Sequence, residues 1–305
     1  MSFDCRAVKT LAAAAIVLSS LPACSVKKMA VNALGNALAE GGSTYARDDD
    51  PELVREAVPF GLKTVEGLLL DAPRHKGLLY SAASGFTQYG YAFVQQDADF
   101  VEGDDLARAT ALRNRARKLY LRALDYGFRG LEVDFPGFRD AMRRDPVPVL
   151  ARAKKEHVPL LYWTALAWAA AMAISKDDAE LTADQGKAEA MMRRALALDE
   201  GYEHGAVHDF FISYEGGRSS VGGSVEKARE HLERALALSK GRRAAPLVAF
   251  AETVSVATQD RAEFERLLEQ ALAVDADAVP DLRLSNIIYR QRARWLLGRA
   301  DELFI

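Results

Sequence analysis

Residues 158–174, VPLLYWTALAWAAAMAI, decide how the rest of the chain is read. This is the most apolar run beyond the first two dozen residues, and about 20 apolar residues at 1.5 Å each would cross a bilayer. Its composition favours a different place. The run is rich in Ala, which contributes little transfer free energy, and Tyr162, Thr164 and Trp168 carry polar atoms that lipid would leave unsatisfied. A helix apolar all round but built of small residues is a central buried helix that lets neighbouring backbones come close.

The same run opens a repeat. Trp163, Leu166, Ala167 and Ala170 fall at the W-x2-L-G-x2-Y spacing that begins a tetratricopeptide unit, with Ala for the Gly and the Tyr. The second helix of such a unit reads A-x3-F-x2-A-L. That pattern occurs at Ala116, Tyr120, Ala123 and Leu124, again at Ala188, Met192, Ala195 and Leu196, and at Ala228, Leu232, Ala235 and Leu236. It returns at Phe264, Leu268, Ala271 and Leu272, with Phe leading. The starts lie near multiples of a unit of about 34 residues with loop insertions. The expected fold is therefore all-α, a solenoid-like bundle of degenerate tetratricopeptide-like helix pairs. No segment alternates with period two between turn signals, so strands are not expected.

Composition bounds the function. The chain has 305 residues, half of them hydrophobic, and a formal charge of −3, so it can bury a large core and has no electrostatic case for nucleic acid. Residues 1–23 read as a signal peptide: Arg6 and Lys9 precede an apolar core, Leu11 to Leu18, that is too short to span. Leu21-Pro22-Ala23-Cys24 resembles the lipobox of bacterial lipoproteins, which makes Cys24 the expected acylated first residue. Cys5 leaves with the signal, so no intramolecular disulfide is expected. Ser25 after the Cys implies passage to the outer membrane in lipoproteins of enteric type. Residues 24–44 form an anchored segment with a short helix from Val26 to Leu38, stopped by Gly41-Gly42, and 45–305 a single all-helical domain.

Within that domain Asp50-Pro51-Glu52 is a helix start, with Asp50 as N-cap and Pro51 at the first position. Leu62, Val65 and Leu69, then Leu79, Ala82, Phe86, Tyr89 and Phe93, mark two apolar faces broken at Asp71-Ala72-Pro73. Tyr126 to Val149, with three glycines and three prolines, reads as an irregular insertion between units with at most one short helix of its own, and Tyr214 to Gly223 as a loop between two helices. Asp281 to Phe304 is the closing helix, and it places Asn286 among Leu282, Tyr289, Ala293 and Leu296. There Asn286 either bonds a loop carbonyl inside the core or meets something bound.

Signals for catalysis are weak. His204 and His208 are four apart, but two ligands are not a metal site and no Glu sits in the HExxH position. No GxSxG elbow or Walker sequence is present, and the only thiol left after processing is the lipidated one. No cofactor, metal or enzymatic activity is expected. Aromatic residues exceed what two helices need for mutual packing: Tyr80, Phe86, Tyr89, Tyr91 and Phe93 on one, Tyr162, Trp163 and Trp168 on the other. Aromatics with polar tips line the cavities that curled solenoids enclose. Phe86, Tyr89, Tyr162, Trp163, Trp168 and Asn286 are accordingly the candidate lining of a ligand channel.

Several long stretches resemble the TatT family, the lipoprotein component associated with tripartite ATP-independent periplasmic (TRAP) transporters. They are CSVKKMAVNALGNALA (24–39), DDDPELVREAVPFGLKTVEGLLL (48–70), GFTQYGYAFV (85–94) and VPLLYWTALAWAAAMAISKD (158–177), followed by GGSVEKAREHLERALALSKG (222–241), FERLLEQAL (264–272) and RLSNIIYRQRARWLLGRADELF (283–304). The resemblance implies a homotrimer with a channel through each protomer, docking of the transporter's solute-binding subunit, and handling of a small hydrophobic organic solute on the periplasmic side of the envelope. The competing expectation is a lipid-anchored scaffold whose concave face assembles envelope proteins and holds no small molecule; a hydrolase using His204 or His208 is the third.

Overall fold

The computed structural model describes Ala33, Gly35 and residues 42–218 and 222–305. The signal peptide, Cys24 and nearly all of the 26–38 helix lie outside the described residues. Every element among the described residues is helical. In chain order they are α1 (Gly42–Ala46), α2 (Pro51–Asp71), α3 (Lys76–Gly90), a π-helical turn (Tyr91–Gln95), α4 (Gln96–Val101), α5 (Leu106–Asp134), α6 (Phe138–Arg144) and α7 (Pro146–Ala151). Then follow α8 (Val158–Ala173), α9 (Ala179–Thr182), α10 (Gln185–Leu198), α11 (Ala206–Gly216), α12 (Val225–Ser239), α13 (Ala245–Phe250) and a second π turn (Ala251–Ser255). The chain ends in α14 (Arg261–Ala273), α15 (Arg283–Leu297) and α16 (Ala300–Leu303).

The helices start where side chains satisfy their free N–H groups. Asp50 accepts from the backbone of Glu52 and Leu53 at 3.0 and 3.1 Å, and Ser224 from Lys227 at 3.1 Å. The decisive run forms α8, held between α3, α5 and α10. Leu161, Thr164, Ala165, Ala167 and Ala171 are fully enclosed by these neighbours. No described helix is long and apolar enough to cross a membrane. The first three residues of each A-x3-F-x2-A match are buried, so this pattern marks the inward stripe of α5, α10, α12 and α14.

Two expectations need correction. Tyr126 to Val149 is mostly helical: α5 continues to Asp134, and α6 and α7 follow. Gly127 and Gly130 act as contact points instead of breaks. A Cβ on Gly127 would lie 2.2 Å from Thr164 Oγ1, and one on Gly130 2.8 Å from Leu160 Cδ2, so α5 and α8 cross closely only because both side chains are missing. Gly127→Ala is expected to destabilise the protein by about 1–3 kcal/mol through overpacking. Gly67→Ala, where a Cβ meets open space, should stabilise it by about 0.5–1 kcal/mol; urea titration of both variants checks the contrast. The closing helix is also shorter than expected, running from Arg283 to Leu297, with Gly298 and Arg299 separating it from α16.

Helix packing passes in sequence from α2 through α3, α5, α8, α10, α11, α13 and α14 to α15, which returns to α1 and α2. Arg47 Nε donates to Asp281 at 2.6 Å, and Arg283 donates to the Arg47 carbonyl at 3.0 Å. The Tyr91 and Tyr289 rings lie 5.8 Å apart, and those of Phe100 and Trp295 5.2 Å apart. The helical circuit is thus closed by residues from about 195 to 236 positions apart, and its interior is bounded by both halves of the chain.

Candidate functional site: an interior row of aromatic and charged side chains

The row begins where α3, α8 and the 3₁₀ turn Tyr202–His204 meet. The Tyr162 ring lies 5.0 Å from Trp163, edge-on, and 5.3 Å from Tyr202. Neither the Trp163 indole N–H nor the Tyr202 hydroxyl has a partner at hydrogen-bonding distance, although Tyr80 is close enough to both for them to affect its titration. Glu203 stands beside Tyr80 and Tyr202, with its backbone in the left-handed region at φ 47°.

Deeper in, Arg243 holds Asp209 through both terminal guanidinium nitrogens, one of them at 3.1 Å. Arg243 sits between the end of α12 and the start of α13, and Asn286 brackets it. The Asn286 side-chain oxygen accepts from the Ala244 N–H and its amide donates to the Arg242 carbonyl, both at 3.0 Å. Asn286 therefore bonds the loop on either side of Arg243 and aims the guanidinium inward.

Tyr289 and Tyr91 continue the row to Arg292. This arginine donates to Asp99 at 2.9 Å and grips Glu252 through two further nitrogens. Tyr91 and Glu252 each lie in one of the two π turns. A π turn inserts one residue into a helix and re-aims its neighbours, a feature that recurs at functional sites. The row opens into a cleft of about 720 Å³ whose walls include Gln95, Asp99, Glu252, Arg292 and Trp295.

Electrostatics follow from enclosure. Burial pushes the Tyr289 phenol up to about 12, Asp209 pushing the same way and Arg243 opposing. Burial also raises the Tyr80, Tyr91, Tyr162 and Tyr202 phenols, so these hydroxyls stay neutral at physiological pH. Burial raises the Asp209 carboxyl against the pull of Arg243. The row thus presents aromatic faces, neutral hydroxyls and paired charges.

Of the six sequence candidates, the row takes in Tyr162, Trp163 and, as a positioning residue, Asn286. Phe86 stacks on Tyr126 at 6.1 Å with Arg122 over its ring at 5.3 Å. Tyr89 packs on Phe93 at 5.6 Å under Arg115, and Trp168 is edge-on to Phe128 at 5.4 Å. Trp168 shares its packed cluster with Tyr162 and Trp163, and Phe86 and Tyr89 share theirs with Tyr91. Asp209, Arg243, Glu252, Tyr289 and Arg292 carry no sequence signal beyond charge or aromaticity inside buried segments. His208 turns to His231 of α12, Nδ1 to Nδ1 at 2.8 Å, and among the described residues no group of three His, Cys, Asp or Glu side chains is placed to hold a metal ion.

The family model described as TRAP transporter T-component, TatT, matches residues 47–304, which include every helix from α2 to α16. The chain belongs to the TatT family. An uncharacterized protein of Treponema pallidum (strain Nichols) is 31% identical to it over 301 residues, covering 92% of this chain and 93% of the relative. Membership associates this T-component with TRAP transport machinery, as an accessory protein. The charged and aromatic row lies entirely within the matched region.

Proposed function

We propose that this T-component is a lipid-anchored periplasmic protein that holds or passes a small organic solute along the interior row, in exchange with the solute-binding subunit of a TRAP transporter. One observation carries the reading: aromatic and charged side chains from both halves of the circuit are gathered inward of the cleft at Arg292, with Tyr91 on Tyr289 and Tyr162 between Trp163 and Tyr202. Side chains that only filled a core would not need this many hydroxyl and ionic groups, since an apolar interior is at least as stable. The burial of each A-x3-F-x2-A match supports tetratricopeptide-like helix pairs as the repeating unit. Acylation at Cys24, the outer-membrane location and the trimer complete the proposal.

Native mass spectrometry of the purified protein tests it. A co-purifying organic molecule is expected, and its removal should lower the melting temperature. Trp163→Ala should abolish the stabilisation regained on adding the molecule back while leaving helical content intact. An empty interior, or an unchanged response in the folded variant, would favour the scaffold reading.

A further inference from the structure

Resting on acylation of Cys24, we propose that the corner formed by the C-terminal half of α2 and the adjoining stripe of α5 is a docking surface for an anionic phospholipid bilayer. The corner exposes large apolar side chains: Leu70 is 86% exposed and Phe60 79%. Phe60, Lys63, Gly67 and Leu70 follow one another at three- and four-residue spacing, so they share one face of α2. A Cβ on Gly67 would meet open space, and nothing packs on this line. Apolar groups exposed together mark an interaction surface.

A basic stripe runs beside it. Lys118, Arg122 and Arg129 share one face of α5. Glu66 ties the two helices together, accepting from the Tyr126 hydroxyl at 2.8 Å and lying 3.5 Å from Arg122 Nε. Arg129 reaches the Pro73 carbonyl at 3.5 Å, which brings the stripe to the end of α2. Lys118 is exposed with no ion pair among the described residues, and the Lys63 side chain stays 69% accessible beside Glu66. With Arg74 these cations outnumber the carboxylates of the corner, Glu66, Asp71 and Asp125. Asp125 is in turn taken by Arg139 at 2.6 Å.

The tether leads to the same place. Gly35 lies against the start of α3, where a Cβ on it would fall 3.0 Å from His75 Nε2 and 3.1 Å from Leu78 Cδ1. Cys24 is eleven residues before Gly35, so at most about 40 Å of chain separates the acyl group from this end of α2. Phe and Leu seat at the boundary of headgroup and acyl chain, and basic side chains beside them meet anionic headgroups. Asp48, Asp49, Glu52 and Glu56 gather at the opposite end of α2, where such a surface would repel them. The helix therefore meets lipid with the half nearest the tether. Near the repelled end Arg55 bonds Asp97, two residues from Asp99 of the cleft wall. Docking by this corner holds the cleft on the side away from the bilayer, open to a periplasmic partner.

The mature chain, residues 24–305 with Cys24→Ser, tests the surface without the acyl group. It is expected to co-sediment saturably with vesicles of phosphatidylcholine containing about one third phosphatidylglycerol, less with phosphatidylcholine alone, and less as salt rises. Phe60→Ser/Leu70→Ser should weaken binding about tenfold or more. Lys63→Gln/Lys118→Gln should weaken it about fivefold or more and flatten the salt dependence. All four side chains point to solvent, so circular dichroism should show each variant folded. Leu53→Ser, at the acidic end, should bind as the parent does. No vesicle binding by the parent, or an equal loss in Leu53→Ser, overturns the docking surface and leaves acylation standing. If Phe60→Ser/Leu70→Ser alters the sedimentation velocity and not the vesicle binding, the face covers a second copy of the chain and the bilayer assignment falls. Intact mass of the membrane-extracted protein tests the tether separately, and a Cys24 without acyl chains removes the ground on which the docking surface rests.

Discussion

Replacing Arg292 with alanine is expected to lower the unfolding free energy by about 3–5 kcal/mol, the usual consequence of removing one partner from a buried ion pair. Arg292 is 6% exposed and bridges Asp99 of α4 to Glu252 of the second π turn. Without it, Glu252 loses its arginine and Asp99 keeps only Arg113 at 3.3 Å, at the seam where the circuit closes. The contacts of Tyr91 with Tyr289 and Phe100 with Trp295 should loosen together with it. Denaturant unfolding measures the loss, and hydrogen exchange locates it in α4 and α15. A triple variant, Arg292→Met with Asp99→Asn and Glu252→Gln, should recover most of the stability, because desolvation of the charges offsets much of what their attraction contributes. A loss below about 1 kcal/mol, the range of exposed pairs, would show that the clasp does not close the fold.

Asn286→Ala should cost about 2–4 kcal/mol. Both hydrogen bonds of its amide would go, leaving the buried Ala244 N–H and the Arg242 carbonyl without partners, and each orphaned backbone group costs about 1–3 kcal/mol. The loop would release Arg243, so the variant should also lose solute-dependent stabilisation. Asn286→Asp distinguishes the two bonds: it keeps an acceptor for Ala244 but loses the donor to Arg242 and adds a charge next to the Asp209–Arg243 pair. It is expected to be at least as destabilising as alanine. If Asn286→Ala melts like the wild-type protein, the bracket does not hold the loop.

The architecture was largely legible in the chain because its signals are local. Asp50-Pro51 announces a helix start through its own backbone, and the A-x3-F-x2-A pattern marks the inward stripe of four helices through the 3.6-residue period. The decisive run is buried as its small residues suggested. The insertion was misread because Gly127 and Gly130 carry the same letters whether a chain turns or two helices touch. Only the presence of Thr164 and Leu160 opposite them shows which applies. Tyr162 and Trp163 stood out as aromatics with polar tips, but Phe86, Tyr89 and Trp168 looked equally eligible. Which neighbour reaches over each ring leaves no trace in residue spacing along one helix.

Sequence alone therefore settled the helical class, the buried central helix and the inward stripes, since hydrophobic period and capping are properties of a few consecutive residues. Tertiary structure alone decided that Asn286 brackets Arg243 and that Arg292 joins positions 99 and 252. Those outcomes depend on the angle at which distant helices meet. That angle is set by the summed packing of the whole circuit, to which no single stretch of residues holds the key.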